Sequence, residues 1–192
     1  MRTLYILFTF LLFTNFLMAN KPSNLEISAY IEQYHDIAVQ EMKRSGIPAS
    51  ILLAQAILLS ESGTNSLAID NNNHFATKCG TGWNSDTSFS NTKSDIPAIC
   101  YKTYADAANS FIDYTNLLME ETTCRPLFRY SYYDYKSWAT GLQKCIYSHD
   151  NKYAEKLVKI IKKYNLDDLD NPNSFSTPSP QKPIIGYEFE ID

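Results

Sequence analysis

Five stretches of the chain carry apolar residues at the three- and four-residue spacing that is typical of helices. The first, residues 28–44, ends before Gly46, and Pro48 suits the first turn of a second helix over residues 48–59. This second helix is apolar on nearly every side, which predicts that it is buried at the centre of the domain. Three further helices are predicted over residues 104–121, 134–146 and 152–164.

The helical period is lost between the second and third predicted helices. Residues 63–100 are rich in Asn, Ser, Thr and Gly, and their short alternating pieces predict loops or a small hairpin. The expected fold is therefore mainly α with a small β part (α+β). It would have a helical lobe around a buried helix and a second lobe made of loops or a β-hairpin.

The two ends of the chain differ in composition from the predicted domain. A single basic residue, Arg2, precedes an apolar run that ends at Ala19, which is the pattern of a secretory signal peptide. Polar residues interrupt this run, so it does not predict a stable membrane anchor. Proline, serine and threonine are frequent after residue 170 and predict a flexible tail. We expect a signal peptide (1–19), one domain (20–170) and a tail (171–192), in a protein exported to the periplasm, the cell envelope or the outside of the cell.

The charge balance excludes one class of partner. Without the predicted signal peptide, which contains Arg2, the 17 basic residues fall to 16 against 21 acidic ones, giving 16 − 21 = −5. Nucleic-acid binding needs a dense basic face to neutralise phosphates, and no such run of Lys and Arg is present. Nucleic acid is therefore not an expected partner.

The four cysteines agree with export to an oxidising compartment. They are widely spaced and contain no C-x-x-C pair, so disulfides are favoured over a metal site, and no cofactor is expected. Four cysteines allow three pairings. We expect Cys79–Cys100 and Cys124–Cys145, each of which would close a loop of about 20 residues and stabilise the fold by about 3 kcal/mol.

The segment 54–79 (AQAILLSESGTNSLAIDNNNHFATKC) resembles the signature of the peptidoglycan β-N-acetylglucosaminidases of glycoside hydrolase family 73. Similar blocks follow in the family's order: residues 100–104, Trp138-Ala139 with Gly141-Leu142, residues 153–157 and residues 163–166. The resemblance implies a lysozyme-like fold whose groove holds a glycan strand. It also implies an endo-β-N-acetylglucosaminidase, like the mannosyl-glycoprotein enzymes, that hydrolyses β-1,4 bonds of peptidoglycan.

The family's general acid is the glutamate of the pattern A-Q-x-x-L-E-S-G-x-G, and here two alignments compete for it. The ungapped alignment keeps the flanking residues in register and puts Leu59 in the place of the acid. The gapped alignment takes Glu61 as the catalytic acid. Two residues turn a side chain by about 200° on a helix, so Glu61 would reach the groove only if the helix bulges or ends early near Ser60.

Other candidate site residues follow from the same resemblance and from the chemistry of the insert. His74 and Phe75 lie in the family's N-N-H-F block, where Ala76 replaces a glycine, and Tyr147 corresponds to a tyrosine of the groove. Trp83 lies in the loop-rich insert and is a candidate for stacking on a sugar. Asp86 and Asp95 of the same insert are candidates for a second carboxylate that activates water.

Three functions remain open from the sequence. The first is a hydrolase with Glu61 as its acid. The second is a catalytically degenerate module, with Leu59 at the acid position, that holds peptidoglycan glycan or modulates a related hydrolase. The third is an envelope protein whose groove binds an unidentified protein partner. The side chain that faces the groove at the end of the second helix distinguishes the first two.

Overall fold

The structure is a computed structural model that describes residues 22–80, 88–91 and 99–171. The predicted signal peptide, nearly all of the predicted tail and residues 81–87 and 92–98 of the insert lie outside these residues. Six α-helices and one two-stranded sheet are seen in the described ranges, together with 3₁₀ segments over Thr122–Arg129 and Leu166–Asp170. The elements are α1 (Asn24–Ser45), α2 (Ala49–Leu59), α3 (Ser66–Asn71), β1 (Ser88–Asn91), β2 (Ile99–Lys102), α4 (Ala107–Glu120), α5 (Tyr135–Cys145) and α6 (Tyr153–Tyr164).

Helix α1 begins four residues earlier than the apolar pattern predicts because a polar cap extends it. The Ser23 hydroxyl accepts from the Glu26 backbone N–H, and the Glu26 carboxylate accepts from the Ser23 N–H at 2.6 Å. At the other end, Gly46 has a left-handed backbone (φ 79°), as expected of a residue that stops a helix. Pro48 lies one residue before α2 rather than in its first turn.

Helix α2 is the centre of the domain, as predicted. Every residue from 49 to 57 is buried, and the helix packs against α1, α5, α6 and the 3₁₀ segment 166–170. Its N-terminus is closed by Asp170, whose carboxylate accepts from the Ser50 backbone N–H at 2.8 Å and from the Ser50 hydroxyl at 2.6 Å. The position and tilt of α2 are therefore set both by apolar packing and by this buried cap.

The second lobe contains the predicted hairpin, in which β1 and β2 pair antiparallel with Ser88 opposite Lys102. The expectation that residues 63–100 contain no helix was wrong. Helix α3 is present because the Asn65 side chain accepts from the Ala68 backbone N–H and closes its first turn. Only Ala68 and Asn71 of α3 are buried, so it leaves no apolar stripe in the sequence.

Both expected disulfides are present. Cys79–Cys100 joins the start of the second lobe to β2, and Cys124–Cys145 joins the first 3₁₀ segment to the end of α5. The prediction of a mainly α, α+β fold with a helical lobe and a small hairpin lobe is confirmed. Within the described ranges, none of the helices has the length and apolar character that crossing a membrane requires.

The buried cap predicts an unusual pH dependence of stability. Burial raises the pKa of Asp170 from its ordinary 3.8 to about 6. Between these two pH values the folded state keeps a proton that the unfolded state has released, so the stability falls as the pH rises. We expect urea denaturation to show a loss of about 1–3 kcal/mol for this group between pH 4 and pH 7. Asp170→Asn should remove this component, and the control Asp70→Asn, an exposed aspartate of α3, should keep it.

Candidate functional site

A cleft of about 420 Å³ lies between the helical lobe and the hairpin lobe. The end of α2 and one face of α4 form one wall, the loop 75–78 and β2 form the second, and the segment after α5 forms the third. The cleft is lined by Leu59, Phe75, Ala76, Thr77, Lys78, Tyr101, Tyr114, Leu117, Ile146, Tyr147 and His149.

Much of the lining consists of aromatic rings that stack on other aromatic rings. Phe75 stacks on Tyr114 with ring centroids 4.2 Å apart, and Tyr147 stacks on Tyr153 at 3.8 Å. The side-chain amide of Gln55, from α2, donates to the hydroxyls of Tyr114 (2.7 Å) and Tyr153 (2.9 Å). The Tyr114 and Tyr147 hydroxyls lie 3.3 Å apart. Burial raises the pKa of Tyr147 above its usual range, so its hydroxyl is neutral at physiological pH and can hydrogen-bond a ligand.

His74 supports the cleft from below and does not line it. Its ring is buried, with Nδ1 2.8 Å from the Tyr30 hydroxyl, and its backbone N–H donates to the Ser110 hydroxyl at 3.1 Å. Burial lowers the pKa of His74 to about 4, so the imidazole is neutral near pH 7. The next residue, Phe75, does face the cleft. His74 therefore fixes the loop that carries Phe75.

The end of α2 places Leu59 in the cleft and Glu61 outside it. Leu59 is the last residue of the helix and one of the lining residues. The chain then turns sharply, since Glu61, Ser62 and Gly63 all have left-handed backbones, with φ values of 53°, 59° and 80°. The Ser60 hydroxyl accepts from the Gly63 N–H at 2.8 Å and stabilises this turn. The Glu61 side chain is exposed to solvent and is not among the residues that line the cleft.

The described lining contains basic side chains but no carboxylate. Lys78 and His149 are its two basic residues. Trp83, Asp86 and Asp95, which the sequence suggests for sugar stacking and for a second carboxylate, lie outside the described residues, so their places in the site stay predictions. In the ranges that the structure describes, no group of three His, Cys, Asp or Glu side chains could hold a metal ion.

Sequence reasoning missed the polar support beneath the cleft. Tyr114 and Tyr153 lie on the predicted helices 104–121 and 152–164, and the sequence does not reveal that both hydroxyls bond to Gln55. A glutamine within an otherwise apolar helix was the available signal, because a buried amide needs hydrogen-bond partners. Tyr101, Leu117 and Ile146 also line the cleft, and no periodicity places them there.

Comparisons with known proteins agree with this architecture. The glucosaminidase family profile, described as mannosyl-glycoprotein endo-beta-N-acetylglucosaminidase, matches residues 35–166. The exo-glucosaminidase LytG of Bacillus subtilis (strain 168) is 31% identical over 134 residues, which are 65% of this chain and 46% of that protein. A Staphylococcus aureus (strain NCTC 8325 / PS 47) protein with an N-acetylmuramoyl-L-alanine amidase domain is 30% identical over 157 residues, 76% of this chain and 25% of that protein.

A solved structure supports the same assignment. The catalytic domain of the autolysin Auto from Listeria monocytogenes superposes with a TM-score of 0.64 and 25% identity, over 80% of this chain and 92% of that domain. The chain spans only a quarter and about half of the two curated relatives' lengths. The profile match covers well over half of the chain, and the chain therefore belongs to the glucosaminidase family and has its lysozyme-like fold.

Proposed function

We propose that this protein is an exported module that binds peptidoglycan glycan in the cleft without hydrolysing it. The observation that carries the proposal is Leu59, an apolar side chain at the end of α2 where the family pattern has its acid. Cleavage of a glycosidic bond requires a carboxylic acid that protonates the departing oxygen. The described lining of the cleft offers no carboxyl group for this step.

The tyrosines of the cleft do not replace the missing acid. Burial raises the pKa of Tyr147, and it raises the pKa of Tyr114 well above the usual value. A hydroxyl with a raised pKa holds its proton more tightly, whereas general acids work best with a pKa near the working pH. These hydroxyls therefore suit hydrogen bonding to sugar oxygens rather than proton transfer.

The backbone after α2 favours the alignment that assigns Leu59 to the acid's place. In that register the two glycines of the pattern A-Q-x-x-L-E-S-G-x-G fall on positions 61 and 63. Both positions have left-handed backbones, the conformation that glycine adopts without cost. Glu61 thus occupies a glycine position of the family, which explains why its side chain points away from the cleft.

Glycan is the ligand that the cleft and the relatives support. The rings of Tyr101 and Tyr147 offer apolar surface next to hydroxyl groups, a combination that suits sugar rings. Relatives of the family include an exo-glucosaminidase and an autolysin. The apolar N-terminal segment and the two disulfides support export to the periplasm, the cell envelope or the medium.

The alternative is a hydrolase that uses Glu61 as its acid, with Asp86 or Asp95 of the insert assisting. One observation favours it: α2 ends at Leu59, and this early end is what a displaced acid would need in order to reach the substrate. Against it, the Glu61 side chain is exposed to solvent and is not among the residues that line the cleft. Activity measurements on three variants separate the two functions.

We expect the wild-type protein to leave the turbidity of a purified peptidoglycan suspension unchanged, and Glu61→Gln to behave identically. Leu59→Glu places a carboxyl group at the cleft, partly shielded by neighbouring apolar side chains. A positioned general acid contributes 10²–10⁴-fold to such reactions. The turbidity loss with Leu59→Glu should therefore exceed that of the wild type at least about tenfold.

The matched control is Leu59→Gln, which has the same size as the glutamate but no proton to donate. It should be as inactive as the wild type. Wild-type activity that Glu61→Gln abolishes would instead establish the hydrolase with Glu61 as its acid.

Glu61→Gly should stabilise the fold. A non-glycine residue in the left-handed region costs about 1 kcal/mol or more, and glycine removes this cost. We expect the free energy of unfolding in urea to rise by about 1 kcal/mol. Glu61→Ala removes the charge but keeps the Cβ, so it should change the stability by less than about 0.5 kcal/mol. Equal effects of the two variants would show that the charge, and not the backbone, determines the result.

Tyr147→Ala should weaken binding of a tetramer of N-acetylglucosamine, measured by calorimetry, about tenfold. It removes both a ring face and a hydroxyl from the cleft, and a tenfold change corresponds to about 1.4 kcal/mol. Tyr133→Ala is the matched control, since Tyr133 is exposed on the loop before α5 and does not line the cleft. Equal loss in both variants, or no binding by the wild type, would contradict glycan binding in the cleft.

A further inference from the structure

The charged side chains that line the cleft indicate which kind of ligand it prefers. Lys78 is exposed on the second wall, where its backbone forms an antiparallel bridge with Tyr101 of β2. No carboxylate of the described residues forms an ion pair with it. His149 lies on the opposite side of the cleft, after α5. The described lining is thus a basic and aromatic surface.

Three acidic residues near this lining, Asp113, Glu121 and Asp150, are already engaged elsewhere. Asp150, which follows His149, accepts from Lys156 Nζ at 2.7 Å and from the Lys152 backbone N–H at 3.0 Å. Its carboxylate is therefore held by the start of α6 and does not line the cleft.

A separate groove of about 370 Å³ lies beyond Leu117 and contains Asp113, Glu120 and Glu121. Asp113 accepts from Lys102 Nζ at 2.9 Å and from the Tyr104 hydroxyl at 2.6 Å. Glu121 accepts from the backbone and hydroxyl of Thr123. The negative charge of this face is therefore kept on the far side of Leu117, and Lys78 remains available to an anion in the cleft.

We infer that the preferred ligand is glycan whose muramic acid residues carry free lactyl carboxylates. This inference rests on the proposed function, because it concerns glycan bound in the same cleft. In intact peptidoglycan the lactyl carboxyl is amide-linked to the stem peptide and is uncharged. Hydrolysis of that amide by water yields the carboxylate and the amine of the released peptide. The ligand is therefore the product of an amidase reaction that strips peptides from the strand.

A carboxylate bound by an ammonium group forms a charge-assisted hydrogen bond, which is stronger than a bond between neutral groups. The lactyl group is attached directly to the sugar ring, so a ring held against the aromatic lining brings its carboxylate within the cleft. The carboxylates of stem peptides lie farther out along a flexible chain. We assign the ligand's carboxylate to the lactyl group, and the experiment distinguishes it from the carboxylates of stem peptides.

The experiment compares three soluble ligands of the same length by calorimetry at low salt. They are a GlcNAc–MurNAc tetrasaccharide with free lactyl groups, the same tetrasaccharide carrying stem peptides, and the N-acetylglucosamine tetramer. We expect the first to bind about five- to tenfold more tightly than either of the others, with the advantage shrinking at 1 M salt.

Lys78→Met should remove this advantage, so that the free-lactyl and the uncharged tetramers bind the variant with equal affinity. Lys159→Met, on the exposed face of α6, is the matched control and should keep the advantage. Equal binding of the free-lactyl and uncharged ligands would overturn the inference and leave glycan binding intact. Tightest binding of the peptide-bearing strand, lost in Lys78→Met, would assign the lysine to stem peptides and also overturn it. Binding of none of the three ligands would refute the proposed function itself.

Discussion

Helix α2 is buried along nearly its whole length, and the side-chain donors of its two polar residues find partners inside the protein. Ser50 bonds to the carboxylate of Asp170 at the N-terminal end, and Gln55 bonds to two tyrosine hydroxyls near the middle. An unpaired buried polar group would cost about 1–3 kcal/mol at each place. These hydrogen bonds offset the cost of burying the polar groups, and each also attaches α2 to a different part of the chain.

The Gln55 pairs also connect the core to the cleft. Through Tyr114 the same amide contacts the ring on which Phe75 stacks, and through Tyr153 it supports the ring beneath Tyr147. The aromatic lining is thus attached to the buried central helix of the domain. Position 59 belongs to that element too, so whatever side chain stands there is presented to the cleft with little freedom. Glu61, two residues later, lies beyond the end of the helix, and its side chain is exposed to solvent.

Much of the fold could be predicted from the sequence because its signals are local. The apolar period located the five longer helices and the burial of α2, and the cysteine spacing suggested the disulfides that are present. The sequence pattern does not predict helix α3 because a side-chain cap, not an apolar stripe, defines it. The choice between Leu59 and Glu61 could not be made from residue types, since it depends on the backbone dihedral angles of residues 61–63. The burial of His74 likewise depends on Tyr30 and Ser110, which are distant in sequence.

The bond between Cys124 and Cys145 lies directly before Ile146 and Tyr147, two residues of the third wall. In a reducing compartment this wall would lose its covalent link to the first 3₁₀ segment, and noncovalent contacts alone would hold the two together. A newly synthesised chain would then hold Tyr147 less firmly until oxidation secures the segment. The third wall of the cleft would therefore reach its final form only after the bond between Cys124 and Cys145 has formed.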